Sequence, residues 1–343
     1  MKRVLKYMIF VLCLLITLTG VNYLLEPKYT YRNTTWPTTS TFNQFYRMKK
    51  NTVDLIFLGS SYSVNAFSPQ YLYDIYGYRS YNLGSEQQSL FLSYYWLKEA
   101  LRFQSPEVVV LEGRNIFPKE ADTPVNTNEA FIRKALDPMH WSSVKTAAVH
   151  ELCLLDPAQQ EISYYLTNIR FHNRWKELSA EDLDWHSAHT AELKGYYPMQ
   201  DTQPEHEFHP FDNEDKGMPI DPDPLMLVYM EKIQDLCLEK GIHLIVINIP
   251  AGDMYQGMHE MLMPFIEAHD IEYYNLSEIN LYESLGVDEE TENAVDHADW
   301  RGSLKLTDFV GRVLLEKGYL EAKEDSQWEV TKDFYQKLIN ELQ

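Results

Sequence analysis

The chain has 343 residues, 45% of them hydrophobic, 13% aromatic and 24% charged. That make-up supplies a packed core and excludes a disordered chain, a collagen-like fibre and a disulfide-stapled miniprotein. Fifty-one Asp and Glu against thirty Lys and Arg leave a formal net charge of -21, so no nucleic-acid partner is expected, because nonspecific binding to a polyanion rests on a basic footprint.

Residues 1–6 carry Lys2, Arg3 and Lys6, and residues 7–25 run without a charge. At about 1.5 Å per residue, a helix over that stretch matches the roughly 30 Å of a hydrocarbon core. The sequence therefore predicts one transmembrane helix at 7–25, with a cytoplasmic tail at 1–6 and the rest of the chain extracytoplasmic, as the positive flank directs. The alternative is a cleaved signal peptide, whose apolar core is usually about 7 to 15 residues and whose small-residue cleavage site is not evident after Leu25. Cys13 falls in mid-span as an apolar filler. Cys153 and Cys237 lie in segments of helical periodicity, and a single disulfide and two buried thiols both stay open as readings.

Residues 26–50, rich in Thr, Asn, Tyr and Pro, read as a stalk that spaces a domain at 51–320 from the membrane. The run Val53-Asp54-Leu55-Ile56-Phe57-Leu58 stops at Gly59-Ser60-Ser61, as a buried strand stops at a turn. Ser68-Pro69 gives a capping residue and a first-turn proline to a helix that ends at Gly77. A short strand Ser80-Tyr81-Asn82-Leu83 stops at Gly84, a helical pattern covers about 88–103, and a third strand Glu107-Val108-Val109-Val110-Leu111-Glu112 stops at Gly113. Two later strands, His243-Leu244-Ile245-Val246-Ile247-Asn248 and Glu272-Tyr273-Tyr274-Asn275-Leu276, each follow a helical segment. Strands alternating with helices predict an α/β fold, a three-layer, doubly wound, parallel five-stranded sheet. Between the third and fourth strands, residues 116–224 form a large insertion, helical over about 127–178 and then acidic, which reads as a lid or specificity element at the carboxyl edge of the sheet. Residues 321–343 read as a C-terminal helical tail.

Three strand ends bring small or polar residues to one edge: Gly59-Ser60-Ser61, Gly84-Ser85 and Gly113-Arg114-Asn115. His297 stands in Asp296-His297-Ala298-Asp299-Trp300-Arg301-Gly302, before a final helix. A serine at a strand-to-helix turn can act as a nucleophile and a histidine can take its proton. Backbone N–H groups and an asparagine amide can receive the charge that develops on a carbonyl oxygen. Taken singly, Gly84 is also a tight turn and Asn115 a cap for the next element.

Together these motifs resemble the SGNH/GDSL hydrolase superfamily over most of the chain from about residue 44, and more closely its membrane-anchored, extracytoplasmic bacterial members, such as those of alginate O-acetylation and D-alanyl-lipoteichoic acid biosynthesis. The resemblance implies Ser61 as nucleophile, His297 as general base and an oxyanion hole from Ser61, Gly84 and Asn115. Two departures stand out: Ala294 occupies the place of the usual acid three residues before the histidine, and Asp299 stands where Asn is common. Asp296 is the expected substitute that orients the His297 ring, with Glu292 as a second candidate. The implied function is a cell-surface serine esterase or O-acyltransferase acting on acyl groups of an envelope or secreted polysaccharide. An acylated or acceptor glycan and a multipass membrane O-acyltransferase are the implied partners, and no cofactor is needed. A catalytically inactive SGNH-fold scaffold is the alternative, and Ala294 is the feature that favours it.

Other polar groups have plainer readings. Arg114 and Glu112 are expected to form a structural ion pair. The His206-Glu207-Phe208-His209 cluster and the His186 and His189 pair lie in an acidic stretch without ligand spacing and read as solvated. Phe171-His172-Asn173-Arg174-Trp175 reads as packing on the lid or as pocket lining, and the methionines between 254 and 263 as core or lid packing. A phosphate-binding turn after the first strand lacks the Gly-rich loop with Lys that it needs.

Overall fold

A computed structural model describes residues 2–30, 36–184, 192–211 and 217–342. Its centre is a five-stranded sheet of β1 (Leu55–Leu58), β2 (Ser80–Asn82), β3 (Val108–Glu112), β4 (His243–Asn248) and β5 (Glu272–Asn275), ordered β2-β1-β3-β4-β5. All four pairings are parallel, and β1 runs in register with β3 from Leu55 opposite Val108 to Leu58 opposite Leu111. Such a sheet needs cover on both faces, because parallel strands joined by helical crossovers are buried above and below. Alternate residues along the strands divide between two cores accordingly. Ile56, Leu58, Val109, Leu111 and Val246 point into one, with Phe91, Trp96, Met230 and Leu262. Leu55, Phe57, Val108, Val110 and Ile245 point into the other, with Phe67, Leu72, Leu306 and Val310.

Local sequence sets the helix ends. Ser68 caps helix Pro69–Tyr76 by accepting from the Tyr71 N–H, and Asp223 caps helix Pro224–Lys240 by accepting from Leu225 and Met226. Between β3 and β4 lie the helices Glu129–Leu136 and Ser143–Leu155, several shorter turns between 161 and 183, and helix Pro224–Lys240.

One flanking segment differs from its sequence reading and the other agrees with it: the C-terminal tail is helical, as expected. Residues 36–50 are not a free spacer: Thr38–Arg47 is a helix whose Phe42 and Phe45 are fully buried, Phe42 stacking on Trp96 with ring centroids 3.9 Å apart. The C-terminal helix Ser326–Leu342 also docks, with Trp328 in the core and the Ser68 hydroxyl donating to the Tyr335 hydroxyl at 3.1 Å. At the other end, helix Lys2–Leu25 is long and apolar enough to cross a membrane, its best window having a mean hydropathy of 2.3 and none of it buried. Cys153 and Cys237 are both free thiols.

Candidate active site

In a sheet of this strand order the crevice beyond the carboxyl ends of β1 and β3 is where neighbouring connections diverge and a ligand finds room. Here the two ends nearly touch. Gly59 adopts a φ of 140°, and a Cβ on it would lie 2.7 Å from the Glu112 Cβ, so only glycine lets the chain turn at this point. Ser60 follows as the N-cap of helix Ser61–Ala66: its hydroxyl accepts from the Tyr62 N–H at 3.3 Å and donates to Glu112 Oε2 at 3.2 Å. Glu112 is fully buried and also accepts from the Arg114 N–H at 2.8 Å, and burial holds its carboxyl above the ordinary range. With Ser60 committed to the turn, Ser61 is the residue left to present its hydroxyl at the rim.

His297 is delivered by the loop before helix Trp300–Lys317. Asp299 caps that helix by accepting from the Gly302 N–H at 2.8 Å, Asn293 Oδ1 accepts from the Val295 N–H at 2.9 Å, and the His297 carbonyl accepts from the Thr202 hydroxyl at 2.8 Å. So held, the ring places Nε2 2.8 Å from Ser61 Oγ. Trp36 and Tyr62 flank it, with ring centroids 5.3 Å and 4.9 Å away. Burial raises the Tyr62 hydroxyl pKa above its usual value, so Tyr62 is a neutral phenol.

The acid behind the ring is Glu205, which the sequence reading missed. His297 Nδ1 hydrogen-bonds Glu205 Oε1. An ionised carboxylate only accepts, so Nδ1 carries the hydrogen and Nε2 of the neutral ring is left to accept from the Ser61 hydroxyl. Glu205 arrives on a segment that crosses the domain. Lys194 O accepts from the Asn82 N–H beside the sheet edge at 2.9 Å, Tyr197 bonds both Val64 O and the Asn65 amide, and Met199 O accepts from the Trp300 N–H at 2.8 Å. No periodicity marks this stretch, and its only signal in the sequence is a carboxylate among many in an acidic region.

Asp296, expected to orient the ring, has another task. Its carboxylate accepts from the backbone N–H groups of Glu205 at 2.8 Å and Gly252 at 3.1 Å, and its own backbone is left-handed at φ 56°, which turns the side chain away from His297. Glu292 is likewise engaged elsewhere, accepting from the Asp288 N–H at 2.9 Å.

The expected oxyanion donors are only partly available. The Gly84 N–H donates to Asn82 Oδ1 at 3.0 Å, and Asn115 Nδ2 donates to the Gln88 carbonyl at 2.7 Å. The Gly84 N–H and one of the two Asn115 Nδ2 hydrogens therefore tie their loops together. Ser61 stands at the first turn of its helix, where a backbone N–H has no intrahelical acceptor. Arg114 does not pair with the Glu112 carboxylate through its guanidinium, which goes instead to Asp253.

The surroundings of the dyad are asymmetric. Behind Glu205 opens a cleft of about 700 Å³ whose walls include Asp201, Glu207, Glu289, Glu290 and Arg301. On the other side, Trp36 and Pro37 close over Val64 and Gly84. Among the described residues, no group of three His, Cys, Asp or Glu is placed to hold a metal ion. His209 and Glu207 are exposed and 3.2 Å apart, while the His186 and His189 pair lies outside the described residues. Residues 171–175 sit at the end of the apolar helix, not at this site, whereas Met254 and Met258 are core.

A hydroxyl, an imidazole and a carboxylate in hydrogen-bonded series can generate a nucleophilic oxygen and stabilise the imidazolium that results. The chain matches no known family model and none of the curated proteins with which it was compared.

Proposed function

We propose that the protein is a membrane-anchored, extracytoplasmic serine esterase or O-acyltransferase of SGNH type, acting on acyl groups of an envelope or secreted polysaccharide. The observation that carries this reading is the relay from Ser61 through His297 to Glu205, with Ser61 Oγ 2.8 Å from Nε2. Glu205 also answers the gap at Ala294, because it does for the ring what the missing acid would do.

Ser61 Oγ attacks the acyl carbonyl while its proton passes to His297 Nε2, and Glu205 stabilises the charge that forms on the ring. The tetrahedral intermediate collapses as the bond to the leaving oxygen breaks and His297 returns the proton to it. The acyl group is then an ester on Ser61. Water, or a sugar hydroxyl, attacks that ester, gives its proton to Nε2 and restores the serine. The developing oxyanion has the Ser61 N–H as its ready donor, and the second hydrogen of Asn115 Nδ2, beside the one given to the Gln88 carbonyl, as another. The glycan and a multipass acyltransferase as partners rest on the family resemblance.

A fluorophosphonate probe tests the reading directly. The full chain in detergent should be labelled, Ser61→Ala should not be, and absence of label on the parent chain would remove Ser61 as an activated nucleophile.

The second reading is a scaffold of the same fold that binds a glycan without turnover. It is favoured by Gly84, whose N–H is already committed to Asn82 Oδ1. A scaffold keeps its cellular effect in Ser61→Ala and an enzyme loses it.

A further inference from the structure

The last turn of helix Lys2–Leu25 is wrapped by residues 168–183. The Asn168 N–H donates to Asn22 Oδ1 at 2.8 Å, and Arg174 donates to the Leu25 carbonyl at 2.9 Å while also holding Asp182 at 2.7 Å. Arg174 thus caps the carboxyl end of the apolar helix, where a cation is favoured by the helix dipole. The collar is fixed at the level where that helix ends.

This collar does not fold in the usual way. Its turns Asn168–Phe171 and His172–Lys176 contain no buried residue at all. An amphipathic segment is normally explained by the protein core under its apolar face, and here there is none. Instead Ile169 is 42% exposed, Trp175 63% and Leu183 73%. Single exposed apolar residues are ordinary, but several gathered on one collar mark a surface that something covers. Beside them Arg170 and Lys176 are also exposed, Arg170 paired with Glu129 at 3.0 Å and Lys176 lying 5.7 Å from the Trp175 ring centroid, while the exposed Glu177 and Glu181 share the collar.

We propose that this collar rests in the headgroup layer of the bilayer and holds the domain down on the lipid surface. The occupant is lipid because the collar is continuous with the helix that enters the hydrocarbon. Tryptophan is enriched at that depth, where its amphipathic ring sits at headgroup level, and the long exposed side chain of Lys176 reaches towards headgroup phosphates. The inference rests on Lys2–Leu25 spanning the membrane, and it adds that the protein touches lipid at a second place outside the span.

The test uses the full chain in nanodiscs of phosphatidylcholine and phosphatidylglycerol, with acyl chains brominated near the headgroup. Bromolipid should quench part of the tryptophan emission, and Trp175→Phe should lose that part, since Trp175 is exposed enough for the exchange to leave the fold intact. The proposal is overturned if Trp175→Phe leaves bromolipid quenching unchanged and Trp175 is instead quenched by aqueous iodide, as a surface reserved for another protein would be. Resistance of the same sample to alkaline carbonate reports the span separately. Extraction by carbonate would refute the spanning premise and the proposal with it, whereas resistance combined with iodide quenching refutes the collar alone.

Discussion

Asp296 and Glu205 are joined through the backbone: the carboxylate beside His297 in sequence accepts the N–H of the residue whose carboxylate meets His297 in space, at 2.8 Å. One acid therefore positions the other. Glu205→Gln should slow fluorophosphonate labelling about ten- to a thousandfold, less than the loss seen for fully buried triad acids because Glu205 is half exposed. Asp296→Ala should slow it in the same direction with little change in probe affinity. The double variant should be no slower than the worse single one, because both act on one ring. Fully multiplicative losses would mean that Asp296 acts by a separate route.

Trp36 closes the crevice over Gly84 and packs on the His297 ring. Trp36→Ala should open that side, so a bulky aryl fluorophosphonate should gain more in labelling rate than a small one. Equal loss for both probes would show that the indole serves only to steady the ring.

Gly59→Ala should destabilise the fold, since the added methyl meets the Glu112 Cβ at 2.7 Å and the φ of 140° is one that L side chains rarely adopt. A cost of about 1 to 3 kcal/mol, read as a lowered unfolding midpoint in urea, is the expected scale. A midpoint equal to that of the parent chain would show that β1 and β3 part easily.

Lys194 is buried, donating to Thr331 and Gln70, and burial pushes its ammonium pKa down to about 7. The unfolded chain holds that proton to about pH 10, so between these values the unfolded state binds more protons and stability rises with pH. Below pH 7 both states are protonated and the full penalty for the buried cation applies. Lys194→Met should therefore raise the melting temperature at pH 6 and lose that advantage as the pH approaches 10, the gain being at most about 5 kcal/mol. A pH-independent difference between the two chains would contradict a buried cation.

The sheet was legible because its strands are short apolar runs, each closed by a glycine at 59, 84 or 113, and buried parallel strands demand that composition. Ser61 and His297 were legible as a pair because a strand-end serine and a late histidine have a chemical reason to meet. Glu205 was not, since its place depends on a path along β2 and across helix Ser61–Ala66 that no local pattern encodes. The local acceptors of Gly84 and Asn115 were hidden as well: their types suit an oxyanion hole, but Asn82 Oδ1 takes the Gly84 N–H and the Gln88 carbonyl takes one Asn115 hydrogen. In residues 38–47 a Thr-rich composition masked Phe42 and Phe45, whose spacing of three is the helical signal for that buried face.

The burial of Phe42 and Phe45, with Trp36 against the His297 imidazole, sets where the protein can be trimmed. A soluble version begun at residue 51 would leave a hole beside Trp96 where Phe42 stacked and strip the indole from His297, so it should precipitate or lose its chemistry even though every strand is retained. Removing only the apolar helix, with a start just after Leu25, preserves both aromatic contacts and is the trimmed form to express.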